Sequence, residues 1–436
     1  MQSAALDHAL REAAERYTAA NPQSLDQHRR AARFLPGGNT RSVLYGTPFP
    51  ITLSGGYGAR VRSLDGREYL DFLGDYTAGL YGHSNPILQS AIAEALAGGI
   101  SLGGHTRYEE RYASLLQQRF PSLERLRFTN SGTEANLLAL LTARAASGRE
   151  RVVVFEGGYH GSVLNFTTAS NPMNVPLDFI PAPYNDVGQT QEILRRHGEA
   201  IAAVLVEPML GSGGCVAADA DFLRLLKDFC TAHGAVLIFD EVMTSRLAPG
   251  GRQAAVGIRP DLTTLGKYLG GGLSFGAFGG RADLMDRFDP RRPDPLVHAG
   301  TFNNNVLSLA AGLAGLGQVF TVEEVLRLNR CGEQLRAELN ALAGRAALPV
   351  VFSGIGSMMN VHLCRGPIRG PADAARGSAG LRDLFYFDML EHGIWCARRG
   401  MLNLSLPMRP EDLQALIEAV GVFLSTRAGL LRKADG

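Results

Sequence analysis

The stretch Ala235-Val236-Leu237-Ile238-Phe239-Asp240-Glu241 decides the fold. An unbroken apolar run of strand length that stops at two acids reads as a strand covered on both faces, with a carboxylate at its carboxyl end. Further on, Asp261-Leu262-Thr263-Thr264-Leu265-Gly266-Lys267 runs into Gly270-Gly271-Gly272 and places a lysine in a glycine-rich setting. Similar short runs occupy 126–130, 151–155, 202–206 and 275–279, with helical patterns in the intervals. Regular alternation of this kind predicts an α/β fold, helices packed on a mostly parallel sheet, with a site at the carboxyl ends of the strands.

This pattern holds from about residue 74 to 322 and changes on either side. Residues 3–34 carry helix-like spacing broken at Asn21-Pro22 and end in the turn Leu35-Pro36-Gly37-Gly38-Asn39, which predicts an arm and a connector. Residues 59–63 and 68–72 alternate around Leu64-Asp65-Gly66-Arg67 and predict a hairpin in a smaller domain. After Thr321 come a long charged helix (322–343), apolar strands (349–352 and 357–362), a helix (381–392) and a closing helix (411–424). The small polar stretch 370–378 reads as a mobile loop over a cleft. Three spans follow: 1–73 for the arm and part of a small α+β domain, 74–322 for a large domain, and 323–436 for the rest of the small one.

With 436 residues, 45% hydrophobic and 19% charged, the chain has apolar content for a large core. Lys and Arg total 43 against 42 for Asp and Glu, so there is no general attraction to nucleic acid or an anionic membrane, and a small-molecule partner is expected. The five cysteines, Cys215, Cys230, Cys331, Cys364 and Cys396, form no CxxC pair and argue against a disulfide framework or a metal site. The first 27 residues are polar and charged, and no later segment nears a membrane-spanning run. A soluble protein of a reducing compartment, the cytoplasm, is expected.

A carboxylate at the end of a buried strand is costly unless something positive meets it, and a protonated pyridine nitrogen is such a partner for Asp240. Glu241, its neighbour, suits a capping or salt-bridged acid. Lys267 lies among Thr263, Thr264, Leu265, Gly266, Tyr268 and Leu269, a crowded low-charge setting that makes an amine nucleophilic by keeping it neutral. This pair is what pyridoxal 5'-phosphate requires: a lysine to hold it as a Schiff base and an acid at its ring nitrogen.

Phe128-Thr129-Asn130-Ser131-Gly132-Thr133-Glu134-Ala135-Asn136 reads as strand, tight turn and helix start, where N–H groups and the helix dipole favour a phosphate. An ordinary N-cap at Ser131 or Thr133 has the same pattern. Gly157-Gly158-Tyr159-His160-Gly161 presents a ring suited to stacking on a pyridine face or to a plain core tyrosine. Gly300-Thr301-Phe302-Asn303-Asn304-Asn305 suits a second phosphate contact or a capped helix start. The strand-linked GxGxxG of a dinucleotide-binding oxidoreductase, with its acid about 20 residues on, is absent.

In chain order, Asn130-Ser131-Gly132-Thr133-Glu134-Ala135, Gly157-Gly158-Tyr159-His160-Gly161, Phe239-Asp240-Glu241-Val242-Met243-Thr244, 260–272 and Gly300-Thr301 resemble the class III aminotransferases, over roughly residues 37–424. Within that family the chain is most similar to the branch holding glutamate-1-semialdehyde aminomutase and the β-amino acid (β-phenylalanine) aminotransferases. The resemblance implies a fold type I, pyridoxal phosphate-dependent homodimer with active sites at the subunit interface. It implies Lys267 as the Schiff-base lysine and proton shuttle, Asp240 as the pyridine partner, Tyr159 as the stacking ring and Val242 as the apolar contact on the opposite face. Ser131, Gly132 and Thr133 match the phosphate loop, and Thr301 matches a phosphate contact from the neighbouring subunit. Glu207, in Val206-Glu207-Pro208-Met209, matches a polar residue near the cofactor's 3-hydroxyl.

Gly37-Gly38-Asn39-Thr40-Arg41-Ser42-Val43-Leu44 and Thr301-Phe302-Asn303-Asn304-Asn305 depart from the aminomutase pattern. They resemble the β-amino acid aminotransferases, in which an arginine like Arg41 receives the β-amino acid's carboxylate. A second arginine on Ala397-Arg398-Arg399-Gly400 would bind the α-carboxylate of glutamate or 2-oxoglutarate; the Arg-Gly pair favours Arg399, with Arg398 as the alternative. The resemblance thus implies ping-pong transfer from an aromatic β-amino acid to 2-oxoglutarate or pyruvate, with glutamate-1-semialdehyde 2,1-aminomutase as the alternative activity.

Overall fold

The computed structural model describes residues 4–433; Ser3 of the expected N-terminal helix and the outermost residues of the first and third spans lie outside the described residues. Seven short strands form the main sheet: β1 (Arg125–Thr129), β2 (Arg151–Phe155), β3 (Phe179–Ala182), β4 (Ile201–Val206), β5 (Val236–Asp240), β6 (Leu262–Gly266) and β7 (Gly276–Gly280). Their order across the sheet is β1-β7-β6-β5-β4-β2-β3. Neighbours from β6 to β3 pair in parallel, and β7 runs antiparallel to both β6 and β1.

The apolar run in β5 has a direct structural cause. Successive side chains of a strand point to opposite faces. Val236 and Ile238 share a core with Ala135, Ala139 and Leu140 of the helix Gly132–Ser147, whereas Leu237 and Phe239 share another with Phe222, Leu223 and Leu226 of the helix Ala220–His233. Both faces are covered, so each position must be apolar, and each such side chain contributes about 1.5–3 kcal/mol by leaving water. The chain leaves β1, β2, β4, β5 and β6 at Asn130, Glu156, Glu207, Glu241 and Lys267, and this edge carries the site.

A four-stranded sheet joins the two ends of the chain, Leu53–Tyr57, Arg60–Ser63 and Glu68–Asp71 pairing on to Ile394–Trp395. The expected hairpin is present, with Arg60 opposite Leu70 and Val61 opposite Tyr69. The N-terminal helices Ala4–Ala20 and Pro22–Ala31 part at Asn21, where Pro22 occupies the first turn of the second.

Two expectations are corrected. The stretch 370–378 contains the helix Pro371–Ala375 rather than loop alone, and Pro371, Ala374 and Ala375 line a cavity with Gly157 and Arg399. The closing helix runs Pro410–Lys433, long and apolar enough to cross a membrane. Its Leu416, Val420, Phe423, Leu424 and Leu431 are instead buried in the largest core.

Candidate active site

Asp240 ends β5 with its carboxylate buried and held from several directions. Its Oδ2 accepts from Asn136 Nδ2 at 2.9 Å and lies 2.7 Å from His160 Nδ1. Its Oδ1 accepts from the Val242 N–H at 3.0 Å. Thr264 Oγ1, 3.5 Å from that same oxygen, donates to Asn136 Oδ1 at 2.7 Å. These contacts fix the carboxylate's orientation without placing an arginine or lysine on it, so a cationic partner still has a place there. Glu241 turns the other way. It accepts from the N–H groups of Arg252 at 2.6 Å and Gln253 at 2.9 Å, caps the helix Gly251–Val256, and has its pKa raised by burial.

Lys267 follows β6 at φ +56°, in the left-handed region that non-glycine residues enter at a cost of about 1 kcal/mol or more. Desolvation lowers its pKa against the opposing pull of Asp240 and Glu207, and Arg399 adds to the lowering. The chain has three lysines. Lys227 pairs with Asp261 at 3.5 Å and Lys433 ends the closing helix, exposed.

Glu207 follows β4 and accepts the N–H of Tyr159 at 2.9 Å on one oxygen and that of Gly211 at 2.9 Å on the other. Burial pushes its pKa up to about 7. It thereby anchors the loop that presents Tyr159, which is 37% exposed and so is no core tyrosine.

At the end of β1, Ser131 Oγ accepts from the Glu134 N–H at 3.2 Å, and Glu134 Oε2 accepts from the Asn130 N–H at 2.7 Å. The Ser131 oxygen therefore caps the helix Gly132–Ser147. The first-turn N–H groups of Gly132 and Thr133 have no acceptor inside the helix, which is what an anion site at a helix start uses. Side chains are excluded there: a Cβ on Gly132 would meet the Val242 methyls at 2.8 Å, and one on Gly161 would meet Thr133 Oγ1 at 2.2 Å. Pyridoxal 5'-phosphate fits this set, because a pKa-lowered lysine, a buried strand-end carboxylate with no arginine or lysine on it, a helix start whose first N–H groups have no acceptor in the helix, an apolar wall at Val242 and a half-exposed ring at Tyr159 meet at one edge. When bound, it supplies an aldehyde and an electron-withdrawing ring.

A single chain does not bring Thr301 to this cluster. Thr301 is exposed and lines a separate cavity of about 420 Å³ with Gly103, Gly104, His105 and Phe302. Asn303, on the same loop, nonetheless accepts from Asn130 Nδ2 at 3.0 Å and ties that loop to the phosphate segment.

The arginines differ in how far they are already engaged. Arg398 pairs with Asp383 at 2.6 Å and donates to the Thr47 carbonyl at 2.5 Å. Arg399 has no carboxylate partner among the described residues; its guanidinium lies 4.6 Å from the Tyr76 ring centre, and its buried Nε has no acceptor. Arg41 pairs with Asp75 at 2.8 Å and lies 6.0 Å from the same ring. Asp75 and Tyr76, like Asn136, His160 and Thr264, go unmarked by sequence reasoning about the site. Asn136 and His160 fall inside motifs, whereas nothing in the sequence around Tyr76 marks it.

Residues 44–411 match the family model described as Aminotransferase class-III. Over 435 residues, spanning all of both chains, this chain is 51% identical to a β-phenylalanine transaminase of Variovorax paradoxus. It is 38% identical over 384 residues, 84% of this chain and 87% of the other, to a glutamate-1-semialdehyde 2,1-aminomutase of Sorangium cellulosum. Its fold superposes with a TM-score of 0.96 on the crystal structure of a β-phenylalanine aminotransferase from Variovorax paradoxus, 51% identical, covering 98% of this chain and 99% of that one. A strand-end acid and a lysine in its glycine setting, the observations that opened the sequence, thus lead to one family: this chain belongs to the class III aminotransferases, enzymes of pyridoxal 5'-phosphate.

Proposed function

We propose that the enzyme moves the amino group of an aromatic β-amino acid, such as 3-amino-3-phenylpropanoate, to 2-oxoglutarate or pyruvate in two ping-pong half-reactions at one site. The observation that carries this reading is the pair of arginines, Arg41 and Arg399, against one ring. In a β-amino acid the carboxylate lies one carbon further from the reacting amine than in an α-amino acid. One site serving both therefore needs two anchors, and a guanidinium fork suits each. Arg399 takes the α-carboxylate in preference to Arg398, which both Asp383 and the Thr47 carbonyl engage, whereas Arg41 has to exchange its one carboxylate partner, Asp75, for the donor's carboxylate. Full-length likeness to a β-phenylalanine transaminase supports the same donor class.

In this reading the Lys267 amine takes the proton from the carbon bearing the amino group and returns it during the shift. Asp240 keeps the ring nitrogen protonated, Glu207 stands at the 3-hydroxyl side, and Tyr159 and Val242 bracket the ring. Gly132 and Thr133 hold the phosphate, joined by Thr301 of a second copy. Exposed Leu35, Val43, Leu44, Leu102 and Phe302, beside Arg41 and Thr301, support a homodimer. A cytoplasmic location is supported by scattered cysteines with no CxxC pair.

The test follows the visible absorption of the holoenzyme as 3-amino-3-phenylpropanoate and then 2-oxoglutarate are added. The expected outcome is loss of the lysine-bound cofactor's band with release of a 3-oxo acid, then its return. A band indifferent to this donor and responsive to glutamate-1-semialdehyde would replace the reading with the aminomutase. Lys267→Ala is expected to abolish turnover, and substantial residual transamination would rule the lysine's role out.

A further inference from the structure

Asp75, Tyr76 and Thr77 are three consecutive non-glycine residues with φ of +40°, +53° and +83°. Residues in this region cost of order 1–3 kcal/mol each and persist where the surroundings over-determine them. This strained segment touches both carboxylate anchors. The Tyr76 ring packs against the Arg399 guanidinium at 4.6 Å. Its hydroxyl donates to the Val43 carbonyl at 3.1 Å, inside the short turn Ser42–Leu44 that follows Arg41. Asp75 holds Arg41 itself at 2.8 Å.

The ring is otherwise buried, and burial raises the hydroxyl's pKa while Arg399 and then Arg41 oppose the rise, so both cations act on the same side chain. A guanidinium stacked on a ring keeps its N–H edges free and turns them in one plane, the geometry a carboxylate needs. Apart from the ring, the described contact of the Arg399 guanidinium is the weak acceptor Met401 Sδ at 3.5 Å. Without Tyr76 little would orient it.

We infer that Tyr76 is a positioning residue for both half-reactions: its ring orients Arg399 toward the acceptor's carboxylate, and its hydroxyl holds the turn that carries Arg41 toward the donor's. This rests on the assignment of those two arginines above. The two parts are separable by mutation, since Tyr76→Phe keeps the ring and loses only the hydroxyl, whereas Tyr76→Leu loses both.

The holoenzyme and both variants are titrated with two unreactive analogues, 3-phenylpropanoate for the donor and glutarate for the acceptor. Calorimetry reads the affinity, and so does Trp395 fluorescence; this is the only tryptophan, and it lines the cavity shared by Arg41 and Tyr76. Tyr76→Phe is expected to weaken 3-phenylpropanoate about threefold to tenfold, the range for one hydrogen bond, and to leave glutarate nearly unchanged. Tyr76→Leu is expected to weaken glutarate as well, by about threefold to thirtyfold, the range for a largely desolvated cation–π contact. The same split should appear in KM for donor and acceptor, with kcat little affected.

Equal shifts for both ligands in Tyr76→Phe, or glutarate binding untouched in Tyr76→Leu, would overturn the inference. A wild-type enzyme that binds glutarate but neither binds 3-phenylpropanoate nor converts its 3-amino form overturns the donor reading and the hydroxyl's part with it. Tyr76→Leu against glutarate then still decides the ring's part.

Discussion

At Asp240 and Glu241 the pleat of one strand sends two adjacent acids in opposite directions, one to the cofactor site and one to the start of the helix Gly251–Val256. Asp240→Asn keeps the shape and removes the charge proposed to meet the ring nitrogen. Turnover is expected to fall about 100-fold or more, the range for one preorganised electrostatic contact, with the circular dichroism unchanged. Glu207 gives a pH-dependent prediction. Its carboxyl sits near 7 in the folded chain against an ordinary 4.5. Between those values the folded state keeps a proton that the unfolded state has lost, so the group's contribution is complete below about pH 4.5 and disappears as pH rises through about 7. Thermal melts from about pH 5 to 8 should therefore show wild type losing stability relative to Glu207→Gln as pH increases; parallel curves would contradict the assignment. Asp240 and Lys267 were legible in the sequence because an ionisable group at the end of an apolar run is chemically expensive. Tyr76 was not, because what distinguishes it is a backbone dihedral and two arginines remote from it in the chain.

The strands could be read from composition because β4, β5 and β6 are buried along their whole length and admit few polar residues. The reversal of β7 was not readable: Gly276-Ala277-Phe278-Gly279-Gly280 has the same apolar character in either direction. Nor was the helix Pro371–Ala375, since five residues are too few to be stable alone and depend on the packing of Pro371 beside Gly157. At the start of Gly132–Ser147 two adjacent positions should respond differently. Ser131→Ala is expected to lower stability by about 1 kcal/mol, measured by denaturant unfolding, with cofactor affinity largely kept. Gly132→Ala places a methyl against Val242 and is expected to weaken pyridoxal phosphate in a fluorescence titration, with a smaller effect on unfolding.

For the whole molecule, the arrangement of Thr301 bears on assembly. It stands on an exposed loop away from its own chain's Lys267 cluster, with exposed Phe302 beside it and Leu102 across the cavity. Sedimentation is expected to give a dimer, and Phe302→Glu is expected to shift it toward monomer and lower cofactor retention together; a monomeric variant that retains the cofactor fully would separate the two. The site thus divides by legibility, with groups on the strand ends marked by motifs and those joining loops from distant parts of the chain marked only by the fold. The distribution of lysines has a practical consequence. Lys267 lies in the site, Lys227 is paired with Asp261, and Lys433 ends the last helix in the open. An amine-reactive support should therefore capture the chain through residue 433 in preference to Lys267 or the ion-paired Lys227. Coupling through that exposed lysine would leave the desolvated Lys267 unmodified.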